Sequence, residues 1–327
     1  MKILVTGGAG FIGSWTCETL LSQGHEVICV DNFNDYYDPK QKERNIEKIV
    51  NNPNFTLFRA DIRNFDFLKD IFLKNKPDKV IHLAAMAGVR NSIDNPKIYV
   101  DVNVNGTINI LELAKEFNVK NVVYASSSSV YGNNKKTPFS EIDNVDYPIS
   151  SYAATKKSGE LLCHTYNNLH DINIACLRFF TVYGPRGRPD MAPFIFTKNI
   201  SEENPINVFL LNQNVLRFND SKSSKRDYTY ITDIVDGIIA SLDVKGYEII
   251  NLGNNRPIEL NYFISLIEQN VGKKAQKIEK PMQPGDVEIT YADISKAQKL
   301  LGYNPKVPIE EGLKKFVEWY KNERVIK

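Results

Sequence analysis

The sequence predicts an α/β protein, a Rossmann-type doubly wound parallel sheet followed by a smaller C-terminal α/β lobe, on three observations. Short apolar runs alternate with longer segments of helical period, the rhythm of parallel strands joined by crossover helices. A glycine-rich turn, Thr6 to Gly13 (TGGAGFIG), directly follows the first of those runs and opens a helical pattern. The alternation stops near residue 184, where Gly184-Pro185 and Pro189 punctuate the chain and the beat becomes irregular.

Taken in order, Lys2 to Val5, Glu26 to Val30, Phe55 to Arg59, Lys79 to Leu83, Asn121 to Ala125 and Asn173 to Arg178 read as strands, and the segments between them as helices. Parallel neighbours need crossovers, so such a sheet is covered on both faces. The first unit is placed at residues 1–183 and the second at 184–327, with allowance for a chain crossover between them. Asn212 to Lys225 and the lysine-rich Lys273 to Lys280 read as solvated loops.

The 327 residues exceed the usual single-core size of about 100–200. With 42% hydrophobic and 24% charged residues the chain is ordinary globular material. Its 41 basic and 39 acidic residues leave a net charge of +2, which asks for neither nucleic acid nor an anionic membrane as partner. Cys17, Cys29, Cys163 and Cys176 lie far apart with no metal spacing, so reduced buried thiols are expected and no metal site. Ile3-Leu4-Val5 is too short for a signal core, and no run approaches the ~20 apolar residues of a membrane span. A soluble cytoplasmic protein is expected.

In the turn, Gly7, Gly10 and Gly13 let the backbone approach a pyrophosphate seated at a helix N-terminus. Asp31 ends the second strand, placed to accept from adenosine ribose hydroxyls; a turn-capping role is the alternative. Asn32 and Phe33 follow it instead of an arginine, so NAD is expected in preference to NADP. The spacing YxxxK occurs at Tyr36/Lys40, Tyr131/Lys135 and Tyr152/Lys156, and only the last pair sits in a helical segment. A free tyrosine titrates near 10, so acting as a base at pH 7 needs a drop of about 3 units. Lys156 together with the charge of oxidised NAD is the expected source.

Here the residues resemble a family. TGGAGFIG, Asp31, Asp61-Ile62, HLAA at 82–85, NVNGT at 103–107, the serine run Ser126 to Ser129 and Tyr152/Lys156 are similar to the extended short-chain dehydrogenases/reductases over nearly the whole chain. Within that superfamily DNFNDYYDP at 31–39, AGVR at 87–90, SYAATKKSGE at 151–160, LRFFTVYGPRGRPDMAPF at 177–194 and RDYTYITDIVDGI at 226–238 resemble the UDP-glucuronate 4-epimerases. The resemblance implies tightly bound NAD held by Gly7, Gly10, Phe11, Ile12, Gly13, Asp31, Asn32, Asp61, Ile62, Leu83, Ala84, Ala85, Asn103, Ser126, Tyr152, Lys156 and Phe179. It implies Tyr152, Lys156 and Ser127 as the catalytic set, a UDP-sugar as substrate and a homodimer packed through residues 96–117 and the Tyr152 helix. The reaction implied is oxidation at C4 to a 4-ketosugar, turnover of that sugar and reduction from the other face.

For the substrate, Ser127 is implied on the sugar O4, Ser128, Ser129 and Thr181 on the carboxylate, and Arg90, Arg188 and Arg226 in motifs that match diphosphate recognition. Arg188 serves phosphate or brackets its own loop, Ser129 serves the sugar or its own strand end, and Asp286 serves the uridine ribose or is a plain turn residue. Dehydratases of the superfamily carry an Asp-Glu pair where Ser128 and Ser129 stand, and serines are poor general acids or bases at neutral pH. Decarboxylases typically carry Glu at the place of Ser129. The alternatives kept open are a 4-epimerase for UDP-glucose or UDP-N-acetylglucosamine, a UDP-glucuronate decarboxylase and a non-catalytic NAD-binding regulator. The chain departs from the family between Asn207 and Lys225, which is longer by about eight residues. Either Phe209 or Phe218 fills the usual strand position; Phe218 fits better, which makes roughly Asn207 to Val215 the insertion.

Overall fold

A computed structural model describes residues 1–210, 224–281 and 287–325 of the chain. The N-terminal part runs β1 (Lys2–Thr6), α1 (Phe11–Ser22), β2 (Glu26–Asp31), α2 (Pro39–Ile46), β3 (Phe55–Arg59), α3 (Phe65–Asn75), β4 (Lys79–His82), α4 (Val89–Asp94), α5 (Pro96–Val100), α6 (Gly106–Glu116), β5 (Asn121–Ser127), α7 (Ser151–His170) and β6 (Asn173–Phe179). It continues through β7 (Thr181–Tyr183), α8 (Ala192–Ser201), β8 (Ile206–Leu210), β9 (Lys225–Tyr230), α9 (Ile231–Ala240), β10 (Tyr247–Leu252), β11 (Pro257–Glu259), α10 (Leu260–Val271), β12 (Lys277–Pro281), α11 (Ser295–Leu301) and α12 (Ile309–Val325).

All six expected strands form, and they pair in parallel in the order β6-β5-β4-β1-β2-β3, with β10 added beside β6. The order reverses between β1 and β4, and in open sheets the crevice at that switch, beyond the carboxyl ends of the strands, is where ligands bind. Period-two alternation splits the core into two layers. Ile3 and Val5 of β1 pack with Cys17 and Leu20 of α1, while Leu4 packs on the other face with Leu68 and Phe72 of α3 and Ile110 of α6. All four cysteines are free and buried, as expected. Among the described residues no helix is long and apolar enough to cross a membrane.

Strand β10 comes from the C-terminal part of the chain yet completes the main sheet, a crossover of the kind allowed for. Two readings change. Asn207 to Leu210 are not insertion loop: β8 pairs in parallel with β12, setting Phe209 opposite Lys280. Lys277 to Lys280, expected as solvated loop, therefore belong to a strand; its exposed lysines belong to a strand at a sheet edge.

Candidate active site

One cleft of about 450 Å³ at the switch point collects the glycine turn, Asp31, the serine run, Tyr152, Lys156, Thr181, Arg188 and Arg226. Its first end is built from β1. Gly7 turns at φ 70°, and its amide donates to the Val30 carbonyl. A Cβ there would lie 2.8 Å from the Ala84 nitrogen, so the strand ends pack backbone to backbone. Gly10 precedes α1 with no side-chain cap, leaving the first-turn amides for an anion. Phe11, Ile12 and Gly13 of that turn line the cleft.

Asp31, 6% exposed, accepts from the Ala9 and Phe33 amides at 3.1 and 2.8 Å. Lys42 of α2 stands 3.8 Å from its carboxylate, tethered to the Asn34 carbonyl and side-chain oxygens, and burial lowers its pKa. Asp61 is held at a pKa of about 2, chiefly by its hydrogen bonds to Arg63, and accepts from the Asn32 amide at 2.9 Å. Asp61, Ile62, Leu83, Ala84 and Ala85 complete this wall.

At the second end, Ser150 caps α7 by accepting from the Ala153 amide, and the helix carries Tyr152 and Lys156 one turn apart. Lys156 Nζ donates to the Ala125 carbonyl at 2.7 Å and lies 6.0 Å from the Tyr152 ring centre; burial lowers its pKa to about 8. The Tyr152 phenol is pushed above its ordinary value by burial, while its hydrogen bond with Ser127 and the nearby Arg188 charge pull it back.

Ser126, Ser128, Ser129, Phe179, Thr181, Arg188 and Arg226 also face the cleft. The buried Ser129 hydroxyl has no hydrogen-bond partner among the described residues, which leaves it available to a ligand. Arg188 makes a two-point pair with Asp190 at 2.9 and 2.7 Å, and Tyr36 donates to the same carboxylate at 3.1 Å. Arg226 donates to the carbonyls of Lys225 and Glu288.

Two expected site residues lie elsewhere. Asn103 is buried with its amide group satisfied by the Met86 backbone, at 2.8 and 3.0 Å, and by Thr155 Oγ1 at 3.0 Å. It sits in the π-helical turn Asp101–Asn105 and is not among the residues lining the cleft. Arg90 is exposed, with its guanidinium 5.0 Å from the Phe209 ring, and does not line the cleft. Phe218 and Asp286 fall outside the described residues. The sequence reading missed Lys42, Tyr36 as a cleft residue, and the buried pair Glu160–Arg178. A signal for the last was present: Glu160 lies one further turn along the face carrying Tyr152 and Lys156.

Comparison with known proteins is consistent across the chain. The family described as GDP-mannose 4,6 dehydratase matches residues 4–316. A UDP-glucuronate 4-epimerase of Thermodesulfobacterium geofontis is 49% identical over 97% of this chain and 95% of its own. The crystal structure of UDP-glucuronic acid 4-epimerase from Bacillus cereus, in complex with UDP-glucuronic acid and NAD, is 38% identical with a TM-score of 0.90 over 99% of this chain and 100% of that one. That of UDP-glucose 4-epimerase from Thermotoga maritima, with UDP-glucose, is 31% identical with a TM-score of 0.88 over 99% and 100%.

Proposed function

We propose, from the premise that this chain belongs to the NAD-dependent epimerase/dehydratase family, that it interconverts UDP-glucuronate and UDP-galacturonate. It is an NAD-dependent UDP-sugar 4-epimerase, and the glucuronate relatives supply the particular sugar. The observation that carries the reading is one cleft holding a glycine turn, a Tyr152/Ser127/Lys156 set and the hydroxyls of Ser128, Ser129 and Thr181, with no carboxylate pair beside those hydroxyls among the described residues. The residues fit NAD: a Cβ at Gly13 would sit 2.1 Å from the Gly7 carbonyl, so the turn admits no side chain, and the α1 amides and Asp31 offer the donors and acceptor a dinucleotide needs. Gly7, Gly10, Gly13, Asp31, Asp61 and Lys156 would hold it. When bound it supplies a hydride acceptor and donor for C4.

In this reading Ser127 and Tyr152 engage the C4 hydroxyl, Tyr152 Oη takes its proton and later returns it to the same oxygen, and Lys156 orients the ribose side of the site. Arg226 and Arg188 hold the diphosphate while the keto sugar turns over. A 4-keto glucuronate is a β-keto acid, which loses carbon dioxide when its carboxylate turns perpendicular to the ketone. Ser128, Ser129 and Thr181 pin that group without placing a charge beside it. Thr181→Ala is therefore expected to raise the UDP-pentose fraction on the order of fivefold, the loss of about one hydrogen bond. An unchanged product ratio and affinity would remove Thr181 from the carboxylate site.

The test of the function is proton NMR of the sugar anomeric signals after adding UDP-glucuronate to purified protein with no added NAD, beside a tube of UDP-glucose. UDP-galacturonate at a stable ratio, no pentose and an unchanged UDP-glucose tube is expected. Turnover of UDP-glucose instead would assign the neutral sugar, and a UDP-pentose as main product would assign a decarboxylase. The same reading includes a cytoplasmic homodimer. Leu161 and Leu169 on α7 and Val100 at the end of α5, exposed by 57%, 64% and 49%, supply an apolar face for it, and four free thiols suit a reducing compartment.

A further inference from the structure

The carboxyl end of β5 is fastened to α7 at two successive residues, and the next one faces the same cleft as the helix. The Ala125 carbonyl accepts from Lys156 Nζ at 2.7 Å and Ser126 Oγ donates to Glu160 Oε1 at 2.6 Å, while Ser127 lines the cleft together with Tyr152. Tyr152, Lys156 and Glu160 stand four apart on the helix and so share one face. Glu160 is 0% exposed, and its carboxylate also makes a two-point pair with Arg178, Nε at 2.8 Å and Nη2 at 2.9 Å, and stands 3.8 Å from Lys157 Nζ. Arg178, 1% exposed, stands directly across from Ser126 in the β5/β6 register and from Asn251 in the β6/β10 register. A polar row thus crosses three neighbouring strands under the Glu160 carboxylate. Arg178 also lies 4.8 Å from the Tyr131 ring centre, and Tyr131 donates to Asn251 at 2.7 Å.

A carboxylate paired with Arg178 can only accept, so the Ser126 hydroxyl must donate to it. This fixes Ser126 between Ala125, which holds Lys156, and Ser127, which faces the cleft beside Tyr152. A buried ion pair is weak evidence for stability as such, because desolvation offsets its attraction. What this one does is geometric, and catalytic geometry is sensitive to displacements of about 1 Å.

We propose that Glu160 is a positioning residue for the reaction: through Ser126, with Arg178 as its counter-ion, it sets the β5 end that carries Ser127 and so the placement of Tyr152 against the sugar C4. The proposal rests on the epimerase reading above. Ser126→Ala removes the hydroxyl and leaves the Glu160–Arg178 pair intact. It is expected to lower kcat for UDP-glucuronate about tenfold, with KM within twofold and Tm within about 2 °C. Glu160→Gln is expected to lower kcat about a hundredfold and Tm as well. The double variant Ser126→Ala/Glu160→Gln is expected to turn over no more slowly than Glu160→Gln alone, because the two changes cut the same connection. Should Glu160→Gln fail to fold, the first variant still decides. Ser126→Ala with wild-type kcat, or losses that multiply in the double variant, would overturn the proposal. A wild-type protein inert toward UDP-glucuronate would instead overturn the epimerase reading on which it rests.

Discussion

Tyr152→Phe is expected to lower kcat by about 10³-fold with KM changed by no more than a few fold, within the 10²–10⁴-fold typical of a positioned acid or base. The phenol oxygen is the atom that takes and returns the C4 proton, and phenylalanine has no substitute for it. Folding should survive. The edge-on contact with the Tyr99 ring, 6.2 Å between centres, uses carbons that phenylalanine keeps. The pH profile separates this role from mere packing. Burial raises the phenol, with Ser127 and Arg188 opposing, so in the protein alone nearly all of it is protonated at neutral pH. Because only the phenolate accepts a proton, wild-type kcat/KM should rise with pH along its acid limb, and the residual activity of Tyr152→Phe should not follow that rise. A variant retaining more than about a tenth of wild-type kcat, or the wild-type profile, would take Tyr152 out of the chemistry.

That tyrosine was legible because only one of three YxxxK pairs lies in a helix. Tyr36 shows the limit of the argument: its spacing partner is cut off by Pro39, yet its hydroxyl still reaches the cleft through Asp190, 154 positions away. Long-range partners of this kind leave no mark in local spacing. The same holds for Lys42, whose role depends on where α2 packs against Asp31. The six expected strands were legible because each is a short apolar run between turn residues. Strand β10 has a similar run, but it follows the loss of rhythm at residue 184, where order along the chain ceases to predict neighbours in the sheet. Strand β12 carries lysines because its residues are exposed, and an exposed edge strand reads as loop. Asn103 is a further case: it stands in a π-helical turn, bonded to the Met86 backbone and Thr155, and no periodicity announces that turn.

Gly13→Ala is the second large effect, and the geometry makes it a test of the cofactor end alone. The added methyl would lie 2.1 Å from the Gly7 carbonyl oxygen, 2.7 Å from Gly8 Cα and 2.8 Å from the Gly7 carbonyl carbon. All three are backbone, so no flexible side chain can yield; the turn and α1 must move apart. Overpacking of this kind costs about 1–3 kcal/mol of stability. Binding should suffer more, because the displaced parts are the turn itself and the α1 amides that receive the pyrophosphate. NAD retained by the desalted protein, quantified after acid release, is expected to fall at least a hundredfold in affinity terms, about 2.7 kcal/mol. Gly24→Ala is the control. Its φ is +79° with no atom within 4 Å of the added carbon, so it carries only the strain of a left-handed alanine, about 1 kcal/mol, and should keep its NAD. A Gly13→Ala protein as full of NAD as the Gly24→Ala control would mean that the pyrophosphate does not sit against this turn. The assignment of the cleft's first end to a dinucleotide would then fall, even with Tyr152 still active at the second.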